Sequence, residues 1–169
     1  MNMSKFAVID IQGFQVKGGG GGGFTPKEMA ITADGVNVYH YVFSSFQPYF
    51  ILSDDEKMQV KYLQKNHHGI PYDIGGLPAC DFGQIVRNFI MSNSIKTIYV
   101  KGNIKKEILE RQMVEPMVVH INNMEYEEEC PNFMKGEPQC VSECHILSHK
   151  PMCATTNCKI LYDWLKEYF

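Results

Sequence analysis

The chain has 169 residues, 44% hydrophobic and 21% charged, with a formal net charge of −3. That length suits one domain with a real core, and the charge excludes a uniformly basic RNA-coating protein, leaving nucleic-acid contact to a local patch. No apolar run of about 18 residues occurs, so no membrane span is predicted, and the opening MNMSKFAVIDI, an apolar run broken by Asp10, does not read as a signal peptide.

Residues 5–11 (KFAVIDI) form the first predicted strand. Six glycines follow at 18–23, a flexible connector, natural or engineered, with no helix start behind it that would make it a phosphate loop. Strands at 27–32 and 36–43, joined by the turn Ala33-Asp34-Gly35, complete an antiparallel meander. Ser53 caps a helix whose first turn is acidic and which ends near Asn66.

HHGIPYDIGG, residues 67–76, reads as a polar loop, His67 and His68 included. A helix at 81–92 carries Phe82, Ile85, Val86, Phe89 and Ile90 on one side. A strand at 96–100, a helix at 103–111, a strand at 117–121 and an amphipathic helix at 153–169 follow. The order β-β-β-α-α-β-α-β-α predicts one α/β domain over residues 1–169. Its mixed sheet combines the three-strand antiparallel meander with two further strands, and helices cover both faces.

Few other residues suggest chemistry. Lys101, Lys105 and Lys106 are candidates for phosphate contact, although such lysines more commonly form a solvated helix face. Phe46, Tyr49 and Phe50 are candidates for base stacking, or for core and lip positions. Glu125 and the acids at 127–129 repel nucleic acid locally. Without a leader the chain is expected to be intracellular, so its six cysteines read as thiols or metal ligands rather than disulfides. Five of them lie after residue 129.

Taken in order, a first strand ending in an acid (VIDIQ), a hairpin strand (PKEMAI), an HGI turn, a strand-GN-helix element (IYVKGNIKKEIL) and a final helix (CATTNCKILYDWL) resemble the DEDD-type 3′→5′ exonucleases of the ribonuclease H-like fold. The resemblance spans nearly the whole chain. Such enzymes hold two Mg²⁺ or Mn²⁺ ions on about four carboxylates. Residue by residue, Asp10 matches the first acid and Glu107 the mid-chain aspartate. Gln12 stands at the second acid, Met152 at the general-base histidine and Asn157 at the last aspartate, so most of the charge is missing and Met152 accepts no proton. The resemblance therefore implies a degenerate catalytic site. The plainer reading of Asp10 is an end-of-strand acid bonded to backbone N–H groups.

Two subgroups of that superfamily, the Maelstrom domain of the piRNA pathway and the arenavirus nucleoprotein exonuclease domain, are similar in carrying a Glu-Cys-His-Cys zinc site. The corresponding set here is Glu28, Cys144, His149 and Cys153, in a zinc-binding segment at 130–153. Its C-x₄-H spacing departs from the C-x₂-H of those relatives, and Cys140 with His145 is the alternative to Cys144 with His149. A structural Zn²⁺ there would pin the last helix to the hairpin.

The resemblance thus implies a catalytically degenerate, zinc-stabilised module that binds RNA, single-stranded in particular, or a protein partner. The alternatives are a divergent Mg²⁺- or Mn²⁺-dependent nuclease using Asp10 and Glu107 on single-stranded RNA or DNA, and a pure protein-interaction scaffold.

Overall fold

A computed structural model of the chain describes residues 5–16, 23–114, 117–133, 145 and 152–169. The hexaglycine and most of the 130–153 segment, including Cys140, Cys144 and His149, lie outside the described residues. Five strands form one open mixed sheet: β1 (Phe6–Gln15), β2 (Phe24–Thr32), β3 (Tyr39–Val42), β4 (Thr97–Val100) and β5 (His120–Asn123), in the order β3-β2-β1-β4-β5. β1, β2 and β3 pair antiparallel, while β4 and β5 run parallel to β1. Among the described residues the α-helices are α1 (Asp54–Asn66), α2 (Phe82–Asn93), α3 (Asn103–Gln112) and α4 (Ala154–Tyr168). The element order is that expected from the sequence. Among the described residues no helix is long and apolar enough to cross a membrane.

Period-two alternation along β1 sorts its side chains between the two faces of the sheet. Ala7, Ile9 and Ile11 pack with Phe82, Val86 and Ile90 of α2 and with Ile108 and Leu109 of α3. Val8 packs instead with Ala154, Cys158, Leu161 and Leu165 of α4. Asp10 and Gln12 share Val8's parity, so the sheet aims both toward α4 rather than into the larger apolar core. A third cluster, Phe14, Val16, Leu52, Val60 and Tyr72, seats α1 against the far end of β1.

β1 and β2 extend beyond the predicted 5–11 and 27–32, to Gln15 and back to Phe24. The polar Gln12 and Gln15 and the proline at 26 hide this extension in the sequence. Register moves from Gln12↔Glu28 to Gly13↔Pro26, so Lys27 is an extra residue in β2. Pro26 has no N–H for a ladder, and a bulge is where a strand tolerates it. Gly13 fits because a Cβ there would lie 2.2 Å from the Thr25 carbonyl oxygen. Lys27 turns fully inward, and its ammonium donates to Tyr72 O at 2.9 Å and also to Ile74 O.

β3 is shorter than the predicted 36–43, because residues 36–38 are held by the Asp34 turn: Asp34 Oδ1 accepts the N–H groups of Val36 and Asn37. β5 sits two to three residues later than predicted. α1 begins as predicted, with a reciprocal capping box between Ser53 and Glu56.

Candidate functional site: a locked carboxylate beside a metal-ligand cluster

Asp10 is 1% exposed at mid-sheet, and its carboxylate is taken up by three side-chain donors. Gln12 Nε2 and Asn157 Nδ2 each donate to Oδ2 at 2.9 Å, and Lys105 Nζ meets Oδ1 at 2.5 Å. These partners are not the backbone N–H groups of the plainer sequence reading. The reason is topological: α4 brings Asn157 over the sheet, and the first turn of α3 brings Lys105 back from the end of β4. Lys105 is thus no member of a solvated helix face.

The other two lysines are also engaged. Lys101 donates to Pro131 O and lies 4.8 Å from the Phe133 ring centroid, while Lys106 is 3.6 Å from Glu110 on its own helix. Glu107 is exposed and accepts from Asn103 Nδ2 at 3.0 Å. Among the described residues, neither Asp10 nor Glu107 belongs to any group of three or more side chains able to hold a metal ion.

Such a group does exist one strand away. Glu28 on β2, His145 and Cys153 at the N-cap of α4 place their ligand atoms within 4.8 Å of one another. Two members of the expected set, Glu28 and Cys153, come together here. The histidine present is His145 of the alternative set, while Cys140, Cys144 and His149 fall outside the described residues.

Glu28 is fully buried. Its Oε1 accepts the Ala154 N–H at 2.7 Å, using one of the N–H groups that the first turn of α4 cannot bond internally. Its Oε2 meets Nε2 of His145 and Nε2 of His40, each at 2.7 Å. Burial alone would raise its pKa, but the two imidazoles and the helix-end N–H outweigh it and hold the carboxyl at about 2.

His145 has an acceptor at each ring nitrogen: Nδ1 donates to His68 O at 2.5 Å, and Nε2 faces Glu28. Two acceptors demand a positive charge at the ring, supplied either by a second proton or by a metal ion at Nε2. A backbone carbonyl on the remote nitrogen is the usual outer partner of a metal-bound histidine.

The HGI loop ties this cluster to a neighbouring cleft. His68 is buried, not part of a polar loop: Nε2 donates to Gly13 O at 3.1 Å, Nδ1 accepts the Ile70 N–H at 3.0 Å, and the ring packs edge-on to Phe14. Gly69, at φ +71°, supplies the left-handed turn that follows the two histidines. Met152 donates its N–H to His67 O at 2.8 Å, so the residue matching the family's histidine is a backbone anchor here.

His67 itself lines a cleft of about 560 Å³ with Gln12, Lys101, Asn103 and Lys105. Its pKa is lowered by burial and then by the Lys105 charge. An adjoining hollow shares Gln15, Phe24, Gln59 and Ile104 with the cleft and carries Asp55, Glu56, Glu107 and Arg111. Of the aromatic candidates, Tyr49 packs on Tyr72, while Phe46 and Phe50 are exposed.

Sequence reasoning did not single out His40 or assign Lys105 to Asp10. Alternation in Tyr39-His40-Tyr41 is a usable signal for His40, but only once the β2–β3 register is known. Comparison of the chain with protein-family models, with curated proteins and with solved structures gives no match.

Proposed function

We propose that the chain is a catalytically degenerate member of the DEDD-type exonuclease superfamily, with a ribonuclease H-like fold, stapled by a structural Zn²⁺ and acting inside the cell as a binding module. The observation that carries this reading is the Asp10 carboxylate: its donors are two amides and an ammonium, where a two-metal nuclease needs several carboxylates converging on open coordination positions. Lys105 already supplies the positive charge that a divalent ion would bring.

Glu28, His145 and Cys153 supply O, N and S donors of the kind zinc takes in closed structural sites, and the other expected ligands, Cys140, Cys144 and His149, lie outside the described residues. Bound there, zinc would supply a cross-link between β2, the HGI loop and α4. The cleft beside Lys105 is the natural seat for a partner, single-stranded RNA or a protein segment. The acids of the adjoining hollow favour a protein segment, because they oppose a phosphate backbone.

End-labelled single-stranded RNA and DNA, incubated with the protein in Mg²⁺ and then Mn²⁺ beside Asp10→Ala, should stay intact in every lane. Degradation that disappears in the variant overturns the degenerate reading in favour of a divergent nuclease. Metal analysis of the purified chain should find about one zinc per molecule. Label retained on native gels at low salt identifies an RNA binder, and its absence leaves the protein-interaction reading.

A further inference from the structure

We propose that His40 is a positioning residue of the metal site, holding the Glu28 carboxylate in the orientation that a bound zinc requires. The inference rests on the reading of Glu28, His145 and Cys153 as zinc ligands. It concerns a residue on a third strand, outside that ligand set.

Sheet register creates the contact. Glu28 pairs with Val42 and His40 pairs with Ala30, so His40 and Glu28 are diagonal neighbours two positions apart on the same face. Diagonal pairs are within reach of long side chains. His40 Nε2 reaches Glu28 Oε2 at 2.7 Å, the same oxygen that faces His145. The Ala154 N–H holds the other oxygen. Each carboxylate oxygen therefore has a partner outside the ligand set, His40 on one and the Ala154 N–H on the other, which restricts its rotation.

Rotation of Glu28 about its terminal torsion is otherwise soft. A buried ligand that rotates freely presents a metal with the wrong lone pair. Of these three side chains His40 reaches solvent most: it is 23% exposed, against 4% for His145 and 0% for Glu28. That place at the rim of the cluster suits an outer partner better than a ligand.

The test is zinc affinity of the full chain, measured by competition with a fluorescent chelator, for wild type, His40→Ala, His40→Gln and Tyr41→Ala. His40→Ala should bind about 10- to 100-fold more weakly, the usual cost of losing an outer-shell partner. His40→Gln, whose amide still donates, should recover most of that. Tyr41→Ala, on the same strand but the other face, should leave affinity unchanged. Co²⁺ substituted for zinc should show ligand-field bands that shift in His40→Ala and return in His40→Gln. Unchanged affinity in His40→Ala, or equal weakening in Tyr41→Ala, overturns the role of His40 alone. A wild-type chain with no zinc affinity overturns the metal site, and the role of His40 with it.

Discussion

Lys105 Nζ lies 2.5 Å from Asp10 Oδ1, joining an ammonium from the first turn of α3 to a carboxylate that is 1% exposed on β1. Removing the cation strands the charge. Lys105→Ala is therefore expected to lower stability by about 3–5 kcal/mol, the range for breaking a buried pair from one side. Asp10→Asn should cost less, about 1–2 kcal/mol, because Lys105 is 20% exposed and can hydrate. Urea unfolding of both variants checks the order, and equal losses would contradict the picture of an internal counter-charge.

Glu28 gives the metal-free protein an acid-sensitive contact. Its carboxyl is held at about 2 rather than 4.5: burial opposes the shift, but hydrogen bonds from His145 and His40 overcome it. A depressed folded-state pKa means stability that is complete above 4.5 and lost as pH falls toward 2. The amount is about 3 kcal/mol at about 1.4 kcal/mol per unit. In chelator-treated protein, Glu28→Gln should be less stable than wild type by about that much at pH 6, with the gap roughly halved by pH 3. Urea midpoints across that range measure it, and a gap independent of pH would argue against an ionised Glu28.

His68 acts in a higher window. Burial, foremost, pushes its pKa from 6.5 to about 3, with the Gly13 carbonyl resisting. The folded imidazole is neutral where the unfolded one takes a proton, so stability is complete above 6.5 and falls as pH drops toward 3. Between pH 7 and 5 the expected loss is about 2 kcal/mol. His68→Gln should flatten that segment of the stability profile while lowering the whole curve. A wild-type profile already flat between pH 7 and 5 would refute the assignment.

Gly13 tests the bulge. A Cβ there would lie 2.2 Å from Thr25 O and 2.7 Å from the Phe24 ring. The first of these is backbone and cannot step aside. Gly13→Ala should therefore cost about 1–3 kcal/mol, as overpacking does, while Gly76→Ala, whose Cβ would meet nothing within 4 Å, should be near neutral. Comparing the two by thermal unfolding separates steric conflict from the general effect of replacing glycine.

What local chemistry decides was legible in the chain. Ser53 and Glu56 mark the start of α1 because a capping box needs only four consecutive residues. Ile160, Leu161, Trp164 and Leu165 mark α4 by their spacing alone, and the β-rich apolar run in KFAVIDI marks β1 and places Asp10 in it. Glu28 and Cys153 were recognisable as metal-ligand types by resemblance, and they do meet.

What depends on distant segments was not legible. The polar residues at 12 and 15 conceal the length of β1: Gln12 donates to Asp10 on its own strand, in a network that Asn157 of α4 joins, and the Gln15 N–H donates to Gln59 Oε1 of α1. His68 looks like loop and is core, since its partners are Gly13 and His145.

The sequence by itself therefore determined the kinds and order of the elements, and the residue types available for a metal. Only the tertiary structure decided that Asp10 is answered by Lys105, and that Glu28 is shared by His40 and His145. Helix caps and hydrophobic periods are set by neighbours within a few residues. Strand register, the Lys27 bulge and the seating of α4 are set by packing and hydrogen bonding between distant segments, such as Asp10 and Asn157, 147 positions apart.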